Sequence, residues 1–102
     1  MSYSVLFAPK AREDLRRLYD YIADQAGGPR ALAYVESIER LCSSLRDFPE
    51  RGNLRDDVFP GLRVVGFKRR VAIAFHIQNR SVVIDRILYG GRDLGLAFAS
   101  SE

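Results

Sequence analysis

Apolar residues recur along this chain with two periods, and the change from one to the other divides it into two parts. Between residues 11 and 26, Ala11, Leu15, Leu18, Tyr19, Ile22 and Ala26 share one helical face, with Arg12, Glu13, Arg16, Arg17, Asp20 and Asp24 off it. Ala31, Tyr34, Val35, Ile38, Leu41, Cys42 and Leu45 form a second, wider helical stripe. Gly27-Gly28 stops the first helix, and Pro9 and Pro29 suit the first turns of the two. The second should end near Asp47, ahead of Phe48-Pro49, because proline disfavours helical geometry in the residue before it. So short a connection predicts an antiparallel helix hairpin.

A short strand is expected at residues 3–7, and three more at 62–67, 70–77 and 81–89. Val71, Ile73, Phe75 and Ile77 should face the helices, and Ala72, Ala74 and His76 the other way. The connections among the last three strands are too short for a parallel crossover, so those strands pair antiparallel. Residues 50–61 read as a polar loop. The predicted fold is α+β, a helix hairpin packed on one face of a small, mainly antiparallel sheet in the order β-α-α-β-β-β. Its core should contain Leu15, Leu18, Ile22, Val35, Ile38, Cys42, Leu45, Ile73 and Phe75.

The chain has 102 residues, 47% apolar and 28% charged, which suits one globular domain over residues 1–102. No apolar run approaches the roughly 20 residues of a membrane span, and the N-terminus lacks the pattern of a signal peptide. The single cysteine, Cys42, excludes an internal disulfide and lies on the apolar side of a helix. With one Cys and one His there is no four-ligand zinc site. No metal or cofactor is expected, and the expected compartment is the cytoplasm. A net charge of +3 favours an acidic protein or a nucleic acid as partner.

Cations stand in or just after the strands at Arg63, Arg69, Arg70, Arg86 and Arg92. Sheets seldom carry so many unless one face is solvated or meets an acidic partner. His76 is the one histidine and the only candidate base besides carboxylates; in a strand it reads more simply as a hydrogen-bonded structural residue. Asp85 reads as an ion-pair partner for a neighbouring arginine. Asp56-Asp57 sits among turn formers and should solvate or cap its loop. Gly90-Gly91 reads as a turn, since no helical pattern of useful length follows it.

Several short motifs occur in order: Ala11-Arg12-Glu13-Asp14-Leu15, Tyr21-Ile22-Ala23, Leu45 with Pro49 and Gly52, Pro60-Gly61-Leu62-Arg63, Ala74-Phe75-His76, and Arg86-Ile87-Leu88-Tyr89-Gly90-Gly91-Arg92-Asp93. Together they resemble the RelE/ParE superfamily of bacterial toxins, and its ParE branch more closely. The resemblance implies a toxin of a type II toxin–antitoxin module that inhibits DNA gyrase without a reaction of its own. Its implied partner is a ParD-like antitoxin that lays an acidic segment on the toxin. On that reading Arg63, Arg70 and Arg86 meet the antitoxin, Tyr89, Arg92 and Asp93 meet the target, and no residue is catalytic.

The RelE branch offers the rival reading, a ribosome-dependent mRNA endoribonuclease. Such toxins use Lys, Arg and a C-terminal Tyr. Arg70 and Arg92 stand where two of those arginines would, but Phe98 replaces the tyrosine and has no proton to exchange. A third reading keeps the toxin fold only as an antitoxin-binding partner.

Overall fold

A computed structural model describes residues 3–90 and 94–99. In chain order the elements are β1 (Ser4–Phe7), α1 (Pro9–Ala26), α2 (Gly28–Ser44), β2 (Asn53–Leu54), β3 (Arg63–Phe67), β4 (Val71–Gln78), β5 (Ser81–Tyr89) and α3 (Leu94–Ala99). The five strands form one sheet in the order β1-β5-β4-β3-β2. β1 runs parallel to β5, and all other neighbours are antiparallel. This is the α+β arrangement expected, with additions at both ends of the meander. β2 adds two residues from the polar loop to the edge of β3, and the tail forms the short helix α3.

Local chemistry explains the boundaries. Pro9 and Pro29 each lie in a first helical turn, where a missing N–H costs nothing. Gly27 closes α1 with φ 95°, its N–H on the Ala23 carbonyl at 2.9 Å, while its own carbonyl accepts from Ala31 at 3.2 Å. α2 ends at Ser44, three residues before the expected Asp47. Tighter i to i+3 bonds carry residues 45–47 onward, from Leu45, Arg46 and Asp47 to the carbonyls of Cys42, Ser43 and Ser44. The two hairpins of the meander turn on Lys68-Arg69 and Asn79-Arg80, all four with positive φ. That backbone matches the right-handed twist of the flanking strands.

The helices cover one sheet face. Ala11, Leu15, Leu18, Ile38, Cys42, Leu45, Val71, Ile73, Phe75, Val82, Ile84 and Ile87 form the core between them. Burial raises the Cys42 thiol to about 12, so it behaves as a small hydrophobe. Ile22, Val35 and Ile77 are half-buried and not fully enclosed, and Ile22 and Val35 still pack against this core. The opposite face is not open along its length. Ala74, Arg86 and Leu88 are buried there too, and α3 reaches over it through Ala97 and Phe98.

β5 changes phase midway. Phe75 pairs with Ile84 but Ala74 pairs with Arg86, so Asp85 is the extra residue of a β-bulge. The bulge lets Ile84 and Ile87, three residues apart, both enter the core.

Gly52 is fixed by two constraints. Its φ is 75°, and a Cβ there would collide with the backbone carbonyl of Val64 on β3. Gly52→Ala should therefore cost about 1–3 kcal/mol, and Ile38→Ala, which empties a site with no exposure, about 2–5 kcal/mol. Urea denaturation of both variants measures this. Losses below about 1 kcal/mol at both would contradict the packing described.

Candidate functional site

β1 leaves the sheet after Phe7, since the Ala8 N–H to Ile84 carbonyl bond at 2.9 Å ends its ladder and Pro9 begins α1. From Asp85 onward β5 has lost its parallel neighbour. α1 supplies a substitute from its second turn. Asp14 Oδ2 accepts the Ile87 N–H at 2.9 Å, where a strand carbonyl would otherwise stand. The same carboxylate takes Arg86 Nε at 2.8 Å and Nη2 at 3.0 Å, a bidentate pair. Arg86 Nη1 donates to the Ala97 carbonyl of α3 at 3.2 Å. Asp14 and Arg86 are both buried, and the pairing holds the guanidinium above its usual range.

The three arginines expected to meet an antitoxin therefore do not form one patch. Arg86 is internal, so its placement on an open sheet face is corrected; its charge is already spent on Asp14. Arg63 pairs in register with Phe75, which puts it on the helix side of the sheet. It is half-buried, and its Nη1 reaches the Arg51 carbonyl at 3.5 Å. Arg70 is exposed at the opposite end, in the turn before β4, where its carbonyl accepts the Gly90 N–H at 2.9 Å. Of the three residues assigned to the target, Tyr89 ends β5 and is half-buried. Arg92 and Asp93 lie outside the described residues.

Tyr89 instead marks a feature that strand-by-strand reading missed. Between the helix hairpin and the β3–β4 turn lies a groove of about 570 Å³ lined by Tyr21, Tyr34, Tyr89, Ile22, Arg30 and Lys68, among others. The Tyr21 and Tyr89 rings are 5.7 Å apart, and Tyr34 meets Phe67 edge-on at 5.5 Å. Lys68 Nζ sits 5.7 Å from the Tyr34 centroid and 5.4 Å from that of Phe67. The charged residues lining the groove are cations, Arg30 and Lys68. Burial raises the Tyr34 phenol, the neighbouring Tyr89 adds to this, and the charge of Arg70 opposes it. Arg70 thus acts electrically on the groove. The signal in the sequence is Tyr21 and Tyr34, placed on the two helices near their connection.

His76 lies on the other face. Its Nδ1 is 2.6 Å from Asp85 Oδ2 and its Nε2 is 3.2 Å from Gln78 Oε1. Asp85 thus partners the histidine, not an arginine, and the pair clamps the bulge. Phe59 packs 5.6 Å from the His76 ring and 5.6 Å from Phe98. Arg70 lies six residues back, in the turn before β4, about 20 Å away. The candidate base and the arginine that the RelE reading would use are not brought together. Asp56 accepts the Gly61 N–H at 2.8 Å and Asp57 pairs with Arg55, so these carboxylates order the loop.

Two variants test this arrangement. Removing one member of the buried pair, as in Arg86→Met, should cost about 3–5 kcal/mol in urea denaturation by stranding the other charge. Replacing both by hydrophobics should still be unfavourable, because the Ile87 N–H then loses its acceptor. At Asp85, desolvation raises the carboxyl and His76 opposes this. The raised value means that stability from this group is present while it is protonated and declines as pH rises through the folded value. His76→Phe should push the Asp85 carboxyl higher still, visible in a carboxyl-carbon NMR titration; an unchanged midpoint would show that the pair is not coupled.

Comparison with known proteins places this geometry. The family described as ParE toxin of the type II toxin–antitoxin system parDE matches residues 5–94. Toxin ParE3 of Caulobacter vibrioides is 33% identical over 81 residues, covering 79% of this chain and 80% of the relative. A solved chromosomal ParDE toxin–antitoxin system from P. aeruginosa superposes with a TM-score of 0.77 at 26% identity, over 87% of this chain and 97% of that one. The RelBE2 toxin–antitoxin complex of Mycobacterium tuberculosis shares the fold, with a TM-score of 0.63 at 20% identity, over 87% and 99% of the two chains.

Proposed function

This chain belongs to the ParE family of type II toxins, and we propose that it acts by binding and not by catalysis, with DNA gyrase as its target and a ParD-like antitoxin as its inhibitor. The observation that carries this reading is the division of labour among its cations. Arg86, the β5 arginine expected to meet the antitoxin, is consumed in a buried ion pair. The accessible cations Arg30 and Lys68 border an aromatic groove instead. Such a groove suits an amphipathic acidic segment, which buries apolar side chains among the tyrosines and sets carboxylates against the rim.

The nuclease alternative has less support. His76 is engaged through both ring nitrogens, and Phe98 packs on Phe59 without an exchangeable proton. General acid–base help is worth about 10²–10⁴-fold in rate, and the phenyl ring of Phe98 cannot supply it. Among the described residues no helix is long and apolar enough to cross a membrane, and we assign the action to the cytoplasm.

The test is expression in bacteria without the antitoxin, followed by assays on purified components. Inhibited gyrase supercoiling, accumulated cleaved DNA and uncut mRNA are expected. Cuts at codon positions in ribosome-bound mRNA would establish the ribonuclease reading. For the antitoxin, the double charge reversal Arg30→Glu with Lys68→Glu should weaken the complex by more than about 1 kcal/mol. Unchanged calorimetric affinity that is also independent of salt would show that the groove is not the contact.

A further inference from the structure

Cations gather at the β3–β4 hairpin turn. Lys68, Arg69 and Arg70 are consecutive and all exposed. The backbone there is held at two points. The Arg70 N–H donates to the Phe67 carbonyl at 3.2 Å, and the Arg70 carbonyl accepts the Gly90 N–H at 2.9 Å. Among the described residues, none of these three cations is ion-paired with a carboxylate. Lys68 is shared with the tyrosine-lined groove, whose lining adds Arg30 and holds no acidic residue. The charge of Arg70 acts on Tyr34, so it stands near the same rim.

Packing does not account for these residues. Lys68 and Arg69 have φ of 49° and 62°, in the left-handed region that asparagine, aspartate and glycine adopt most readily. The other turn of the meander has asparagine, Asn79, at its first position. The Arg69 side chain has no hydrogen bond, ion pair or ring contact within the described residues. Like charges on successive residues also repel. Backbone strain of this kind gathers where a surface has a function.

We propose that this turn is a binding site for the phosphodiester backbone of duplex DNA, with Lys68, Arg69 and Arg70 each meeting a phosphate. A duplex presents one negative charge per about 1.7 Å of axis, whereas an extended acidic peptide offers at most one per about 3.3 Å. A peptide in the groove meets Lys68 and Arg30, but Arg69 and Arg70 are not part of the lining. Single-stranded RNA would call for rings on which bases stack. Here Tyr34 and Phe67 meet each other edge-on beside Lys68. Phosphate contacts position a protein without reading sequence, so the binding is sequence-independent. The proposal deepens the gyrase reading and takes its choice of duplex from that target.

The test is fluorescence anisotropy of a labelled duplex of arbitrary sequence, titrated with the full chain in the absence of antitoxin and gyrase. Meeting three phosphates predicts a log–log salt slope of about −2.7, so that affinity falls about 40-fold between about 50 and 200 mM salt. Arg69→Gly and Arg70→Gln should each make that slope shallower by about one and weaken low-salt binding about tenfold, while Arg69→Lys keeps both. Arg69→Gly should also raise the melting temperature, because glycine adopts φ 62° without strain. Unchanged binding in both variants, tighter binding of single-stranded RNA of equal length, or equal displacement by a glutamate peptide at matched charge would each overturn the proposal. Inhibition of gyrase by a chain that does not bind the duplex would sink this proposal alone. Duplex binding without gyrase inhibition would sink the gyrase reading alone.

Discussion

The Asp14 carboxylate satisfies two groups that would otherwise be left open. It accepts the N–H of Ile87 where β1 has departed, and it neutralises Arg86, which in turn holds the carbonyl of Ala97. One side chain thereby joins α1, β5 and α3. A buried charge pair is not by itself a source of stability, because desolvation of both ions offsets their attraction. Its consequence here is geometric. α1 must enter at a height and rotation that deliver a carboxylate to the edge of β5, and the rest of the hairpin follows from that entry. The groove beside Tyr89 is the space left between the hairpin so placed and the turn that carries Lys68.

The bulge at Asp85 serves the same end of β5. Without an extra residue, Ile84 and Ile87 would face opposite sides of the sheet, and one of them would leave the core. With it, Arg86 faces away from the core while Ile87 enters it. His76 holds the bulged residue from the neighbouring strand at 2.6 Å. The histidine that invites a catalytic interpretation is thus accounted for by the sheet's own irregularity.

Much of this was legible in residue patterns. The periods of 3.6 and 2 located both long helices and the meander, because those elements bury one face each. β2 and α3 escaped notice because two and six residues are too few to show a period. The site was harder to read. Arg63, Arg70 and Arg86 look alike in sequence, yet one faces the helix side, one is solvated and one is buried. What separates them is the location of a carboxylate 72 residues earlier in the chain. The Ala11-to-Leu15 motif contained Asp14, but its neighbours Glu13 and Asp20 offered the same charge to local arginines. The phase break between Ile84 and Ile87 was the available sign that β5 is bulged.

The central claim is that the β5 arginine is architectural and that recognition belongs to the aromatic groove. Amide hydrogen exchange of the toxin, free and bound to its cognate antitoxin, tests it most directly. The account predicts that Arg86 and Ile87 exchange only through global unfolding in both states, while residues 30–37 and 66–70 gain protection in the complex. Protection gained at Arg86 and Ile87 on binding, with those two segments unchanged, would contradict it.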